Sequence, residues 1–137
     1  MAQSIKNLRM TFQGAIVSGY QSYANFNGRA SRSAYWWWTL FQILATAAIG
    51  IVFGHGVMMM DPDTMVMGYH GGTMSNLWTL ANFLPSLAVG ARRLHDIGKS
   101  GWWLFIMLIP LIGIIVLIVW FCQKSDLGPN QHGQPTA

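Results

Sequence analysis

The sequence predicts an all-α integral membrane protein with an amphipathic N-terminal helix and three membrane helices. The chain of 137 residues is 53% hydrophobic and 9% charged and contains no Glu, whereas about a quarter of a typical soluble domain is charged. Two stretches, residues 34–53 and 102–122, contain no charged side chain. At 1.5 Å per residue, each is long enough to cross a hydrocarbon core of roughly 30 Å.

The N-terminal segment, residues 1–33, carries apolar residues at helical spacing with polar residues between them. Such a pattern indicates an amphipathic helix. This helix either lies in the membrane interface with its cations among the headgroups, or packs on other helices of the same chain. The apolar positions are Ile5, Leu8, Phe12, Ile16, Tyr20 and Tyr23.

The membrane domain is predicted over residues 34–122, with spans at 34–53, 76–91 and 102–122. The middle span is short and contains Pro85, which removes the donor for the Ala81 carbonyl and predicts a kink. If it does not cross completely, it is instead a broken or re-entrant segment. Pro110 and Gly113 are expected to bend the last helix without dividing it into a hairpin, because each half would be too short to span.

The charges predict the orientation of these spans. Seven of the eight cations precede the first span or lie between the second and third, while the loop over residues 54–75 has two Asp and no Lys or Arg. The positive-inside rule therefore places the N-terminus in the cytoplasm and, with three spans, the polar tail over residues 123–137 outside.

Two stretches, GRASRSAYWWW and RRLHDIGKSGWW, place cations and then tryptophans just before an apolar segment. This order is typical of an interfacial anchor that binds anionic phospholipid. Asp96 is three or four residues from Arg92, Arg93 and Lys99, so it is predicted to form a structural ion pair. The predicted lipid-binding residues are Arg29, Arg32, Trp36, Trp37, Arg92, Arg93, Lys99, Trp102 and Trp103.

Three stretches resemble the family of small bacterial inner-membrane proteins named domain of unknown function 805. They are FNGRASRSAYWWW, LPSLAVGARRLHDIGKSGWW and LIPLIGIIVLIVWFCQKSDLGPNQHG, and the likeness runs from about Phe26 to Gly133. The resemblance implies several membrane helices and a location in the bacterial inner membrane. It implies no reaction.

Small residues recur every fourth position in the first two spans, which lets helix backbones approach closely. Gly50 and Ser86 are expected to meet where the two helices cross. An alternative assigns Asn82 and Pro85 to the substrate pathway of a small transporter. The predicted packing positions are Thr46, Gly50 and Gly54 in the first span and Asn82, Ser86 and Gly90 in the second.

The loop between the first two spans holds six of the nine methionines, together with His55 and His70. Thioethers and imidazoles are ligands of reduced copper, so a metal-handling protein is a second form of the transporter alternative. The spacing matches no coordination rule, and methionine is also a packing residue. We therefore expect no specific metal site and no cofactor, and a loop that is either disordered or docked on another subunit.

Catalytic motifs are scarce in the sequence. His95 and Asp96 are adjacent, but neighbouring helical residues point about 100° apart, so a lipid-headgroup enzyme is only the third reading. The few cations lie beside membrane segments and do not form an array suited to nucleic acid. The sequence favours a non-catalytic accessory or scaffolding subunit that binds anionic lipid and either a partner complex or its own copies.

Overall fold

The computed structural model describes residues 10–53, 57–60, 63, 67–70 and 72–135, and it confirms the helical fold class. Its described helices are four α-helices and one 3₁₀ helix. In chain order they are α1 (Phe12–Gln21), α2 (Arg32–Phe53), α3 (Thr73–Asp96), the 3₁₀ helix (Gly101–Leu108) and α4 (Ile112–Cys122).

A short β-hairpin lies between α2 and α3, where a disordered loop or a loop docked on another subunit was expected. Strand β1 (Val57–Met60) pairs antiparallel with β2 (Met67–His70). The residues between the strands include Asp-Pro-Asp, a composition typical of turns. The copper hypothesis concerns side chains that lie outside the described part of the chain.

Helix α2 matches the first predicted span. It begins at Arg32 because the Ser31 hydroxyl accepts a hydrogen bond from the Ala34 amide at 3.2 Å, which caps the first turn. Among the described residues, α2 is the one helix long and apolar enough to cross a membrane, with a mean hydropathy of 1.6. The number of spans in the chain remains a prediction.

Helix α3 is longer than the predicted span at residues 76–91, since it runs for 24 residues from Thr73 to Asp96. Pro85 lies inside it without ending the helix. The Tyr23 hydroxyl donates to the Ala81 carbonyl, which is the acceptor that Pro85 leaves without its helical donor. A side chain from the N-terminal segment thus replaces the missing backbone bond.

Helix α1 packs on α2, which is the second of the two expectations for the N-terminal segment. A Cβ on Gly19 would lie 2.2 Å from the Trp38 ring, so glycine permits this close approach. Trp38 is only 2% exposed, and its indole N–H donates to the Ser86 hydroxyl of α3 at 3.2 Å. Trp38 therefore joins three helices.

The prediction of one continuous span over residues 102–122 is wrong. The 3₁₀ helix and α4 fold back on each other, so that the Trp103 and Trp120 rings lie 5.6 Å apart. Leu111 has φ 64° and ψ −61°, the conformation of a classic γ-turn. The Ile112 amide accordingly donates to the Pro110 carbonyl at 2.8 Å. We call these two helices and their turn the C-terminal hairpin.

The buried core of the described chain lies where α3 and the C-terminal hairpin meet. It consists of Leu94, Leu117 and Phe121, against which Tyr35 and Leu104 pack. The Phe121 ring lies 4.3 Å from that of Tyr35, so the end of α4 contacts the beginning of α2. Both ends of the hairpin therefore lie at the same end of the helix pair α2 and α3.

Candidate functional site

Three charged residues of this end form a buried cluster that we call the ion triad: Arg29, Asp96 and Arg93. The Arg29 guanidinium lies 3.0 Å from one Asp96 carboxylate oxygen, and that of Arg93 lies 2.7 Å from the other. All three side chains are 0% exposed. One carboxylate is therefore paired with two guanidinium groups away from solvent.

Backbone carbonyls accept further hydrogen bonds from both arginines. Arg29 donates to the carbonyls of Asp96, Asp126, Gly128 and Gly133. Arg93 donates to those of Phe121 and Gln123, at the end of α4. Because a planar guanidinium offers five fixed donors, each arginine ties the C-terminal end of α3 to the tail that follows α4.

The tail over residues 123–134 lies across the ion triad. The Asp126 amide donates to the Asp96 carbonyl at 3.0 Å, and the Asn130 side-chain amide donates to the His95 carbonyl at 2.9 Å. Reciprocal backbone bonds between Asn130 and Gly133 close a tight turn. The turn places the His132 ring on that of His95, with centroids 3.8 Å apart and planes inclined by 5°.

His95 and Asp96 have separate partners, and the structure does not bring them together as an acid–base pair. The Nδ1 atom of His95 lies 2.9 Å from the Gly28 carbonyl, while both oxygens of Asp96 face arginines. Burial lowers the pKa of His132, and the nearby His95 and Arg29 lower it further. The stacked ring in the tail therefore favours its neutral form.

Three of the predicted lipid-binding residues do not face lipid headgroups. Arg29 and Arg93 belong to the buried ion triad, and Arg92 is also buried. The Arg92 Nε donates to the Ala88 carbonyl at 3.3 Å. That part of the prediction is wrong because it counted charges without regard to burial. Arg29 and Arg93 are held by distant carbonyls, whereas Arg92 bonds a carbonyl of its own helix.

The other predicted lipid-binding residues remain accessible at this end. Arg32 is exposed, as are the four tryptophans, and the Lys99 ammonium lies 4.6 Å from the centre of the Trp120 ring. An open groove of about 380 Å³ combines a cation with indole rings. It is lined by Arg32, Ser33, Trp36, Trp37 and Leu40.

The predicted meeting of Gly50 with Ser86 does not occur, although Gly50, Asn82 and Gly90 are buried. Ser86 contacts Trp38, and the antiparallel register pairs Asn82 with Gln42 at 3.0 Å, so Gly50 lies further out along α2 and does not meet Ser86. Gly90 faces the 3₁₀ helix, since its Cβ would lie 3.2 Å from Leu104.

Two predicted packing positions remain, Thr46 and Gly54. Thr46 is exposed, and Gly54 lies outside the described residues.

Asn82, predicted at a packing position, lies in a polar cluster between α1, α2 and α3, and the sequence reasoning missed its partners there. The Asn82 amide oxygen accepts from the Tyr20 hydroxyl at 2.8 Å and from the Gln42 amide, and its nitrogen donates to the Trp78 carbonyl. The signal available was one glutamine within the first apolar stretch and Asn82 in the interior of the second. Their polarity indicated partners but could not identify them.

Comparisons with known proteins agree with the membrane character of this chain. A family described as "Protein of unknown function (DUF805)" matches residues 23–134. Inner membrane protein YhaI of Escherichia coli strain K12 is 36% identical over 117 residues, which cover 85% of this chain and 90% of that protein. Inner membrane protein YhaH of the same strain is 34% identical over 116 residues, covering 82% and 88%. No solved structure matches this chain.

Proposed function

We propose a non-catalytic accessory or scaffolding role in the inner membrane for this chain, which belongs to the DUF805 family. The ion triad is the observation that carries the proposal. Its carboxylate and both its guanidinium groups are occupied by partners within the chain. A buried ion pair with this many hydrogen bonds is a means of fixing one structure, and it leaves the charged groups without a reacting partner.

The surface supports a role in contacts. Large apolar side chains are exposed along α2, α3 and the C-terminal hairpin, including Ile51 and Leu80. Helices of a membrane protein contact either lipid or other helices there, and packing between helices decides which. We therefore place the partner surface on the membrane helices.

Co-purification tests the accessory role. The tagged full chain, extracted from inner membranes in mild detergent, should retain one protein associate or further copies of itself in a fixed ratio. A tagged inner-membrane protein of similar size provides the control for nonspecific capture. The retained proteins are identified by mass spectrometry. If the chain is recovered alone under extraction conditions that leave other membrane complexes intact, the proposal is contradicted.

We further propose a topology with two complete spans, α2 and α3, and both termini in the cytoplasm. The two helices contain 22 and 24 residues, about 33 and 36 Å at 1.5 Å per residue. Of the described helices only α2 is apolar enough by itself; α3 is assigned as a span because it is long enough and lies antiparallel beside α2, with Trp38 bonded to Ser86 and Gln42 to Asn82. The C-terminal hairpin returns the tail to the end that holds Arg29, so Lys124 joins the other cations there. This arrangement strengthens the charge asymmetry from which a cytoplasmic N-terminus was predicted.

The cytoplasmic end also supports binding of anionic phospholipid. The groove beside Arg32 offers an exposed guanidinium next to the Trp36 and Trp37 rings, which suits a phosphate at the level of the headgroups. Phe12 of α1 packs edge-on against Trp37 with centroids 5.7 Å apart. The ring is thereby held in place at the groove.

Arg32→Gln should reduce the number of anionic phospholipids that remain bound, because the groove loses its cation. Native mass spectrometry in mild detergent can count phosphatidylglycerol or cardiolipin on each variant. Lys124→Gln is the matched control, since Lys124 is an exposed cation of the tail outside the groove. Equal lipid loss in both variants would show that net charge, and not this groove, retains the lipid.

A further inference from the structure

The C-terminal hairpin is too short to cross a membrane. Its 3₁₀ helix has 8 residues and α4 has 11, and each is about 16 Å long at 2.0 and 1.5 Å per residue. A hydrocarbon core is roughly 30 Å thick. With both its ends beside the ion triad, the hairpin reaches about half of that depth.

Helix α1 occupies the same half of the molecule. It has 10 residues and contacts α2 at Trp37, Trp38 and Phe41. The C-terminal hairpin contacts α3 near Gly90 and Ala91 and α2 at Tyr35. The ring contacts of α1 and the contacts of the hairpin thus involve the half of α2 that leads to the ion triad. Along α3 the contacts of the three short helices reach no further than its middle, where Tyr20 of α1 bonds Asn82.

The turn of the hairpin satisfies several of its own backbone donors, as a segment within a membrane requires. Besides the γ-turn at Leu111, the Gly113 amide donates to the Ile109 carbonyl at 3.1 Å and the Ile115 amide to the Leu111 carbonyl at 3.0 Å. The hairpin contains no charged residue. Both properties suit insertion into hydrocarbon.

Exposure around the hairpin indicates lipid as its neighbour. A protein helix docked on the hairpin would require one apolar stripe. The exposed apolar residues instead lie on several sides of both helices. The outward positions are Trp102, Trp103, Phe105, Met107, Leu108, Ile109, Leu111, Ile112, Ile114, Ile115, Ile118 and Val119. Fluid acyl chains can cover such a surface completely.

We infer that this chain is a wedge whose broad end, made of α1 and the C-terminal hairpin, occupies the cytoplasmic leaflet alone. Only α2 and α3 continue into the other leaflet. A molecule that is wider in one leaflet favours membranes in which that leaflet is convex, and apolar segments inserted in one leaflet are sensitive to curvature. The inference rests on the proposed topology and is independent of any protein partner.

Reconstituted vesicles sorted by size test the wedge. The outer leaflet of a small vesicle is strongly convex, so the broad end should face outward more often in small vesicles than in large ones. One reconstitution is made and then divided by size, so that the route of insertion is shared. A membrane-impermeant maleimide reports the outward fraction through Gln134→Cys or, separately, through Thr64→Cys, each in a Cys122→Ser background.

The labelling distinguishes failure of the proposed topology from failure of the wedge. If positions 134 and 64 label from the same side, the proposed topology is wrong. If they label from opposite sides but the outward fraction is the same in small and large vesicles, the topology stands and the wedge is overturned.

A matched pair of double variants identifies the surface responsible. Phe105→Ala with Leu108→Ala thins the hairpin, where these side chains are 59% and 75% exposed, and should reduce the dependence on vesicle size. Phe83→Ala with Leu80→Ala removes the same two side chains from α3, where they are 60% and 73% exposed, and should leave the dependence intact. Equal loss in both double variants would overturn the inference.

A second copy of the chain is the other candidate to cover the hairpin. Leu108→Cys in the Cys122→Ser background should form no disulfide dimer in the vesicles if lipid surrounds this surface. Efficient cross-linking there would show that protein covers the hairpin and would also overturn the wedge.

Discussion

Asp96→Asn is expected to destabilise the protein by about 3–5 kcal/mol, the cost of leaving a buried charge without its partner. The carboxylate bonds Arg29 at 3.0 Å and Arg93 at 2.7 Å, with all three side chains fully buried. The neutral amide would leave two positive charges close together in a site closed to water. Its N–H group would also face guanidinium donors. We therefore expect a large fall in melting temperature in mild detergent.

Asp126→Asn is the matched control for this prediction. Asp126 is exposed and its carboxylate accepts from Asn130 at 3.0 Å, so the same chemical change should alter stability by about 0.5 kcal/mol or less. Arg29→Gln should also lower the melting temperature, because Asp96 loses one of its two partners. A mere loss of bound lipid would not account for this fall. If Asp96→Asn melts like Asp126→Asn, the ion triad does not hold this end of the molecule together.

The expected size of this effect exceeds that of the polar cluster around Asn82. Hydrogen bonds between membrane helices contribute on average about 0.6 kcal/mol each, because the separated helices also find partners. Asn82 makes such bonds with Tyr20 and Gln42. Their removal should weaken the packing of α1 and leave the tail in place, whereas loss of Asp96 affects three segments together.

The sequence was informative about residues that interact locally. Hydropathy located α2 to within two residues of its beginning. Helical spacing predicted that Asp96 pairs with an arginine three or four residues away, and Arg93 does pair with it. Pro85 identified Ala81 as the carbonyl that needs another donor. In each case the relevant distance along the chain was a few residues, which periodicity and propensity describe well.

Contacts between distant segments could not be predicted in the same way. Arg29 bonds the backbone carbonyls of Asp126, Gly128 and Gly133, and every residue carries a carbonyl, so no side-chain pattern marks the acceptors. The tail consequently read as a polar segment on the far side of the membrane. Its position became evident only from the three-dimensional arrangement.

The C-terminal hairpin was missed because hydropathy does not record direction. An apolar run of 21 residues is equally suited to one crossing or to two half-crossings, and length favoured the single span. The decisive residues are Pro110 and Leu111, which form the γ-turn, and Gly113. A proline and a glycine are common in membrane helices, so their presence alone indicated a bend.

Gly113→Ala distinguishes the hairpin from a continuous helix by the sign of its effect. In a continuous membrane helix the added methyl group would favour the helical backbone by up to about 1 kcal/mol. In the hairpin a Cβ at this position would lie 1.7 Å from the Ile106 carbonyl oxygen and 3.2 Å from the Met107 Cα. These are backbone atoms and cannot rotate away, so the two helices must separate. We expect destabilisation of about 1–3 kcal/mol or more.

Two further alanine substitutions calibrate the measurement, which is a melting curve of each variant in the same mild detergent. At Gly128 no atom lies within 4 Å of the added Cβ, so Gly128→Ala should have little effect. At Gly90 the nearest neighbour is the flexible end of Leu104 at 3.2 Å, and the cost should be intermediate. Stabilisation by Gly113→Ala would favour one continuous crossing. Destabilisation well beyond that of Gly90→Ala requires the close approach that only the hairpin provides, because a straight helix gives position 113 no backbone neighbour from residue 106.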